Sequence, residues 1–190
     1  VSEAITVAAF AGSLRRKSHN RGLLRVAAEV APPEMTINII DLAPLPLYNG
    51  ELDQPWPNKP EPVIDFINQL AAADALLIAC PEYNYSVTGV LKNALDWASR
   101  QPGPERPPAI QGKPAAIMGA GGRFGTVRAQ AHLRYILLHN DVKLLNKPEV
   151  MVVRSSEAAD SEGNIIDPTV RNQVEELVHA LYKWTLQLRK

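Results

Sequence analysis

The 190-residue chain has one cysteine, Cys80, so no disulfide can form within it, and a reducing compartment suits it. Neither sign of charge is in excess, since twenty Lys and Arg balance twenty Asp and Glu. No global field draws in nucleic acid or an anionic membrane surface, and any anion must be caught by a local arrangement. Long apolar runs are also missing. The longest, 5–11 and 71–80, fall well short of the roughly 20 residues of a membrane helix, and Asp74 interrupts the second. No membrane insertion is expected. Val1, Ser2 and Glu3 carry no basic leader region, and the first apolar run ends in a charged loop instead of a cleavage site, from which a cytoplasmic location is expected. His19, His132, His139 and His179 show neither paired spacing nor companion cysteines, so no metal is expected. No serine, histidine and acid set stands out, and no catalytic side chain is assigned. Cys80, at the end of an apolar run, reads as a small core residue rather than a nucleophile.

What is present describes a soluble globular chain, 46% hydrophobic and 21% charged, of a length that one domain spanning 1–190 accommodates. Residues 5–11 and 75–80 are almost continuously apolar, as strands covered on both faces are. Met35, Ile37 and Ile39 alternate with Thr36 and Asn38, which suits a half-open strand at a sheet edge. Further strands are read at 115–118 and 150–153. Helical spacing of apolar residues separates them: from Asn20 to Ala31, over 62–73, from Val87 to Ala98, and through Ala129, Leu133, Ile136 and Leu137. A last helix is capped by Asp167, with Pro168 in its first turn and Val170, Val174, Leu177, Leu181, Trp184 and Leu188 on its inner face. Five strands alternating with five helices predict an α/β fold, a doubly wound five-stranded parallel sheet of the flavodoxin-like order 2-1-3-4-5 with helices on both faces. Such sheets bind ligands outside the carboxyl ends of the strands, so the loops after strands one, three and four are the ones to inspect. The proline-rich stretch 41–62 is too long for an ordinary connection and reads as a lid, a subunit contact or a plain surface loop. A second such stretch, 101–114, is assigned no role.

The first loop reads GSLRRKSHN, from Gly12 to Asn20. Gly12 allows a tight turn, Ser13 and Ser18 offer hydroxyls, Asn20 an amide and Arg15 a planar cation, and the helix start adds unpaired amides. Together they form a phosphate cradle. It is not a dinucleotide fingerprint, because Leu14 stands where the second glycine belongs, and it lacks the Lys-Ser or Lys-Thr ending of a Walker loop. The plainer alternative is that Ser18 only caps the helix while Arg15 to Lys17 are solvated. Charge-assisted bonds contribute about 1.5 to 3 kcal/mol each and association costs about 4 to 15 kcal/mol, so a tightly held cofactor needs contacts beyond its phosphate. The second loop, PEYNYSVTG from Pro81 to Gly89, supplies aromatic faces and amide groups suited to a flat heteroaromatic ring, unless Tyr83 and Tyr85 merely cover the sheet end. Glu82 is expected to act there through its backbone rather than as an acid. The third loop, GAGGRFG from Gly119 to Gly125, permits close backbone approach to a ligand or forms only a strained turn.

These motifs, with NKPEV at 146–150, resemble the NAD(P)H-dependent FMN reductase family, in particular its bacterial chromate reductase and plant quinone reductase branch. The resemblance covers residues 5–153. It implies that Ser13, Leu14, Arg15, Ser18 and Asn20 belong to the FMN site, with the phosphate held by all but Leu14. It implies also that Pro81, Glu82, Tyr83, Asn84 and Tyr85 contact the isoalloxazine and that Gly121 lies near the ring. Ping-pong hydride transfer from NADPH or NADH to a small-molecule acceptor, a quinone or a metal oxyanion such as chromate, follows from the same resemblance, as does a homodimer or homotetramer. Ferric complexes and azo dyes are further acceptors of that kind. Where many relatives have proline before the glycine of the second loop, this chain has Thr88, and Ala131 stands where some bacterial relatives have tyrosine. A flavodoxin-type electron carrier is the alternative, though such carriers benefit from a strongly charged docking face and this chain is neutral.

Overall fold

Ile5–Ala11 forms β1, and every residue in it except Thr6 is buried. It lies between β2, Met35–Ile40, and β3, Ala75–Ala79, and pairs in parallel with both. The computed structural model describes residues 4–101 and 106–189. Short strands β4, Glu82–Tyr83, and β5, Ser86–Val87, follow β3, and then β6, Pro114–Ala120, pairs in parallel with it. Two further strands pair with β6, namely β7, Lys143–Leu144, on its first residues and β8, Val150–Val152, on its last. The order 2-1-3-4-5 read from the sequence is the order found, with the fifth place shared by β7 and β8. Pro148 stands between them and has no amide to donate to a ladder.

Alternation along β1 divides the core in two. Ala8 and Phe10 pack with α2, Glu61–Ala72, α3, Gly89–Ala98, and α4, Val127–His139. Val7, Ala9 and Ala11 face the other way, under α1, His19–Glu29, and α5, Pro168–Leu188. Cys80 sits inside the first of these clusters, as a core residue. At the sheet edge β2 is half open as its pattern implies, although Ile39 is 43% exposed and Ile40 takes the buried place. In α5 the Asp167 carboxylate accepts from the amides of Thr169 and Val170 at 2.8 and 3.0 Å, and Val170, Val174, Leu177 and Leu181 are buried. Its inner face is shorter than the spacing suggests. Trp184 is half-buried and donates its indole N–H to the Lys143 carbonyl at 2.8 Å, while Leu188 is exposed.

The proline-rich stretch 41–62 is fastened along α3. Asn93 Nδ2 and Trp97 Nε1 both donate to the Pro46 carbonyl at 2.9 Å, Tyr48 packs edge-on against Trp97, and Lys59 pairs with Asp53. Leu47, in the same stretch, is 81% exposed. Of the second stretch, 101–114, residues 102–105 lie outside the described residues. Among the described residues no helix is long and apolar enough to cross a membrane.

Candidate functional site

The first loop leaves β1 at Gly12, whose amide donates to the Ala79 carbonyl at the end of β3. Gly12 has an ordinary negative φ, so the turn does not need glycine. Space does: a Cβ there would stand 2.7 Å from Thr88 Oγ1 and 2.8 Å from Leu91 Cβ. The glycine therefore lets the first and second loops touch. Ser18 does cap α1, accepting from the Arg21 amide at 3.5 Å, and at that length the cap leaves its hydroxyl available to a second partner. The first-turn amides of His19 and Asn20 have no acceptor within the helix, as at any helix start. Asn20 is committed more deeply than its pattern suggested. Its Nδ2 donates to the Ala120 carbonyl at 2.8 Å and its Oδ1 accepts from the Ala120 amide at 3.0 Å, which pins α1 to the end of β6. One amide proton of Asn20 remains.

The second loop, read from the sequence only as a connection between strand and helix, is a small antiparallel hairpin, β4 with β5. Asn84 and Tyr85 occupy its two corner positions with φ of 50° and 65°, the left-handed pair that a type I′ turn requires. The hairpin turns Tyr85 outward, under the Arg128 guanidinium at 4.1 Å from the ring centre. Glu82 uses its side chain after all, though not as an acid. Its Oε2 accepts from the amides of Arg128 and Ala129 at 3.0 and 3.1 Å and its Oε1 from Arg128 Nη1 at 3.3 Å, which supplies α4 with the cap that Thr126 does not provide. Thr88 caps α3, accepting from the Leu91 amide at 3.2 Å, and donates to the Gly12 carbonyl at 2.6 Å. A proline at this position would make neither bond.

The third loop folds back on itself. A Cβ at Gly121 would meet the Gly125 carbonyl at 2.3 Å, so part of the glycine requirement is internal. The loop is stitched to the one that follows β8: Arg154 and Ser155 donate their amides to the carbonyls of Gly122 and Gly121 at 2.8 and 2.9 Å.

Ser13, Arg15, Ser18, Asn20, Pro81, Glu82, Tyr83 and Gly121 converge on one cavity of ≈ 280 Å³. Leu14, Asn84 and Tyr85 do not line it; Leu14 and Tyr85 are exposed beside it and Asn84 sits at the hairpin corner. His19, Ala120 and Gly122, from the first and third loops, also line it, as do Arg154, Ser155 and Ser156 from a fourth loop that sequence reasoning missed. The signal was available. The rule that directs attention to carboxyl ends of strands applies equally to the fifth strand, whose loop reads RSS. Two arginines, Arg15 and Arg154, face this cavity with no carboxylate partner among the described residues, and the one acid in its wall, Glu82, is already neutralised by Arg128. His19 Nδ1 lies 2.9 Å from Ser155 Oγ; burial and the Arg15 charge hold its pKa below the ordinary histidine value. Burial, aided by the Glu82 charge, pushes the Cys80 thiol up to about 12, where it is no nucleophile. A larger cavity of ≈ 660 Å³ is framed by Asp53, Trp56, Lys59, Arg100 and Pro108, with no wall from any loop that follows β1, β3 or β6. Among the described residues no group of three or more His, Cys, Asp and Glu could hold a metal.

Hydroxyls, free helix amides, two arginines, a tyrosine and close-set backbone gathered in one cavity fit a monophosphate joined to a flat ring, and that donor set on a 2-1-3-4-5 sheet defines a flavodoxin-like mononucleotide-binding protein. Residues 5–157 match the NADPH-dependent FMN reductases, and the chain belongs to that family. It is 47% identical over 190 residues, the full length of both chains, to an NAD(P)H-dependent FMN reductase of Pseudomonas aeruginosa. Over 190 residues it is 40% identical to an NADPH:quinone oxidoreductase of Arabidopsis thaliana, covering 97% of this chain and 94% of the other. The solved structure of FerB, a flavoenzyme NAD(P)H:(acceptor) oxidoreductase from Paracoccus denitrificans, superposes with a TM-score of 0.82 at 33% identity, covering 97% of this chain and 98% of that one.

Proposed function

We propose that the chain, acting as one domain over 1–190, holds FMN in the ≈ 280 Å³ cavity and reduces quinones with electrons from NADPH or NADH. The observation that carries the reading is the convergence of Ser13, Arg15 and Ser18 with Pro81, Tyr83 and Gly121 in one cavity at the carboxyl edge of the sheet. When bound, FMN supplies the two-electron hydride chemistry. The residues of the chain bind and orient. Ser13, Ser18, Arg15 and the free amides of α1 take the phosphate, with the remaining amide proton of Asn20 alongside. Pro81 to Tyr83 and Gly121 form the wall for the ring, and the Glu82 to Arg128 pair keeps the hairpin and α4 in register beside it. No side chain is assigned to move a proton. Acceptors reach an open rim where Tyr83 is 51% exposed, which suits small planar molecules entering after the nicotinamide leaves. Relatives named as quinone reductases support this acceptor class, and chromate, ferric complexes and azo dyes fit the same open rim.

A homodimer or homotetramer in the cytoplasm completes the reading, with the exposed apolar side chains of α4, Val127, Tyr135 and Leu138, available to a second copy. Anaerobic mixing of the FMN-loaded protein with NADPH or NADH tests the activity. Bleaching of the flavin band, followed by its return on adding a quinone, is expected. A band that neither nicotinamide bleaches contradicts the reading and favours a one-electron carrier.

A further inference from the structure

The loop after β8 holds a feature that the three expected loops do not explain. Arg154 has a φ of 45°, a left-handed conformation uncommon for a residue with a side chain. It is held there from both sides: its amide donates to the Gly122 carbonyl at 2.8 Å, that of Ser155 to Gly121 at 2.9 Å, and its own carbonyl accepts from Glu157 at 2.8 Å. The next side chain, Ser155, reaches His19 at the first turn of α1, 2.9 Å from its Nδ1. Behind this contact Lys17 pairs with Glu162, and Arg25 donates to the Gly163 carbonyl at 3.0 Å, so the β8 to α5 connection is fastened to α1 at more than one point. The loop that carries Arg154 is thus built against the same helix start that carries Ser18, and it lines the same cavity as Arg15.

We infer that Arg154 is a second cation for the phosphate of the bound flavin, so that Arg15 and Arg154 share the charge of the dianion. Both arginines line that cavity and neither has a carboxylate partner among the described residues. A dianion facing one arginine would stay half-compensated, whereas two arginines, two serines and the α1 amides match its charge and its acceptor count. The role is recognition and not catalysis: Arg154 would select a phosphorylated flavin over riboflavin and touch nothing in the reaction. This rests on the proposal that the cavity holds FMN.

Binding of FMN and of riboflavin to the flavin-free protein, followed by quenching of flavin fluorescence, separates the possibilities. Wild type is expected to prefer FMN. Arg154→Gln should lower FMN affinity on the order of tenfold or more, the loss of one charge-assisted contact, leave riboflavin affinity unchanged, and weaken the dependence of FMN binding on ionic strength. Arg154→Gly, compatible with the left-handed backbone and without charge, should show the same loss, and Arg154→Lys should recover part of it. Unchanged FMN affinity in the Gln and Gly variants overturns the assignment, and so does an equal loss for both flavins, which would mark the loop as structural. Should wild type itself show no preference for FMN, the phosphate reading of the whole cavity fails, independently of Arg154.

Discussion

Single side chains carry the site's polarity. Arg15 faces the cavity without a carboxylate partner among the described residues, so Arg15→Ala should weaken FMN binding by about 1.5 to 3 kcal/mol, the range for a charge-assisted bond. A fluorescence titration checks it, and an unchanged dissociation constant would remove Arg15 from the site. His19 makes a pH prediction. Its pKa in the fold is depressed by burial and by Arg15, so on acidification the unfolded chain takes up the proton first. The stability held above the ordinary histidine value is therefore lost as pH falls through that value toward the lower folded one. The melting temperature of the flavin-free protein should drop between about pH 7 and 5 more steeply in wild type than in His19→Gln. Parallel pH profiles would show that His19 is not the group concerned. Thr88 joins two loops with one hydroxyl. Thr88→Val keeps the shape but strands the buried Gly12 carbonyl and uncaps α3, a cost of about 1 to 3 kcal/mol measurable by denaturant unfolding.

At the scale of elements, the sequence legible in advance was the part whose periodicity is set by burial. β1 and β3 are covered from both faces and read as unbroken apolar runs, and α1 to α5 read from apolar residues at three- and four-residue spacing. The β4 to β5 hairpin was not legible, because Tyr85 takes a left-handed corner without being glycine, and two-residue strands are too short to show alternation. The division of the fifth strand was hidden for a like reason, since β7 has two residues and β8 three. Ser13, Ser18 and Arg15 could be named because the helix start makes their chemistry local. The roles of Glu82, Asn20 and Arg154 could not, because each depends on a partner far along the chain, as with Glu82 and Arg128 or Asn20 and Ala120. Glu82→Gln tests one such tie. It removes the charge that caps α4 and pairs with Arg128, with an expected loss of about 1 kcal/mol, and the hairpin should show faster amide exchange than in wild type. Equal exchange rates would show that the pair does not hold the hairpin.

Taken whole, the molecule is electrically neutral yet gathers two arginines, Arg15 and Arg154, with no carboxylate partner among the described residues, at the carboxyl end of its sheet. An anion is caught there by placement, without a field over the entire surface. The cavity exists because α1 is pinned to β6 by Asn20, because Gly12 lets two loops touch, and because the loop after β8 closes the remaining side. One crystal structure with FMN tests this most directly. The phosphate is expected among Ser13, Arg15, Ser18 and Arg154 and the ring against Pro81, Tyr83 and Gly121. Flavin density in the larger cavity beside Trp56, or a phosphate away from the start of α1, would contradict it.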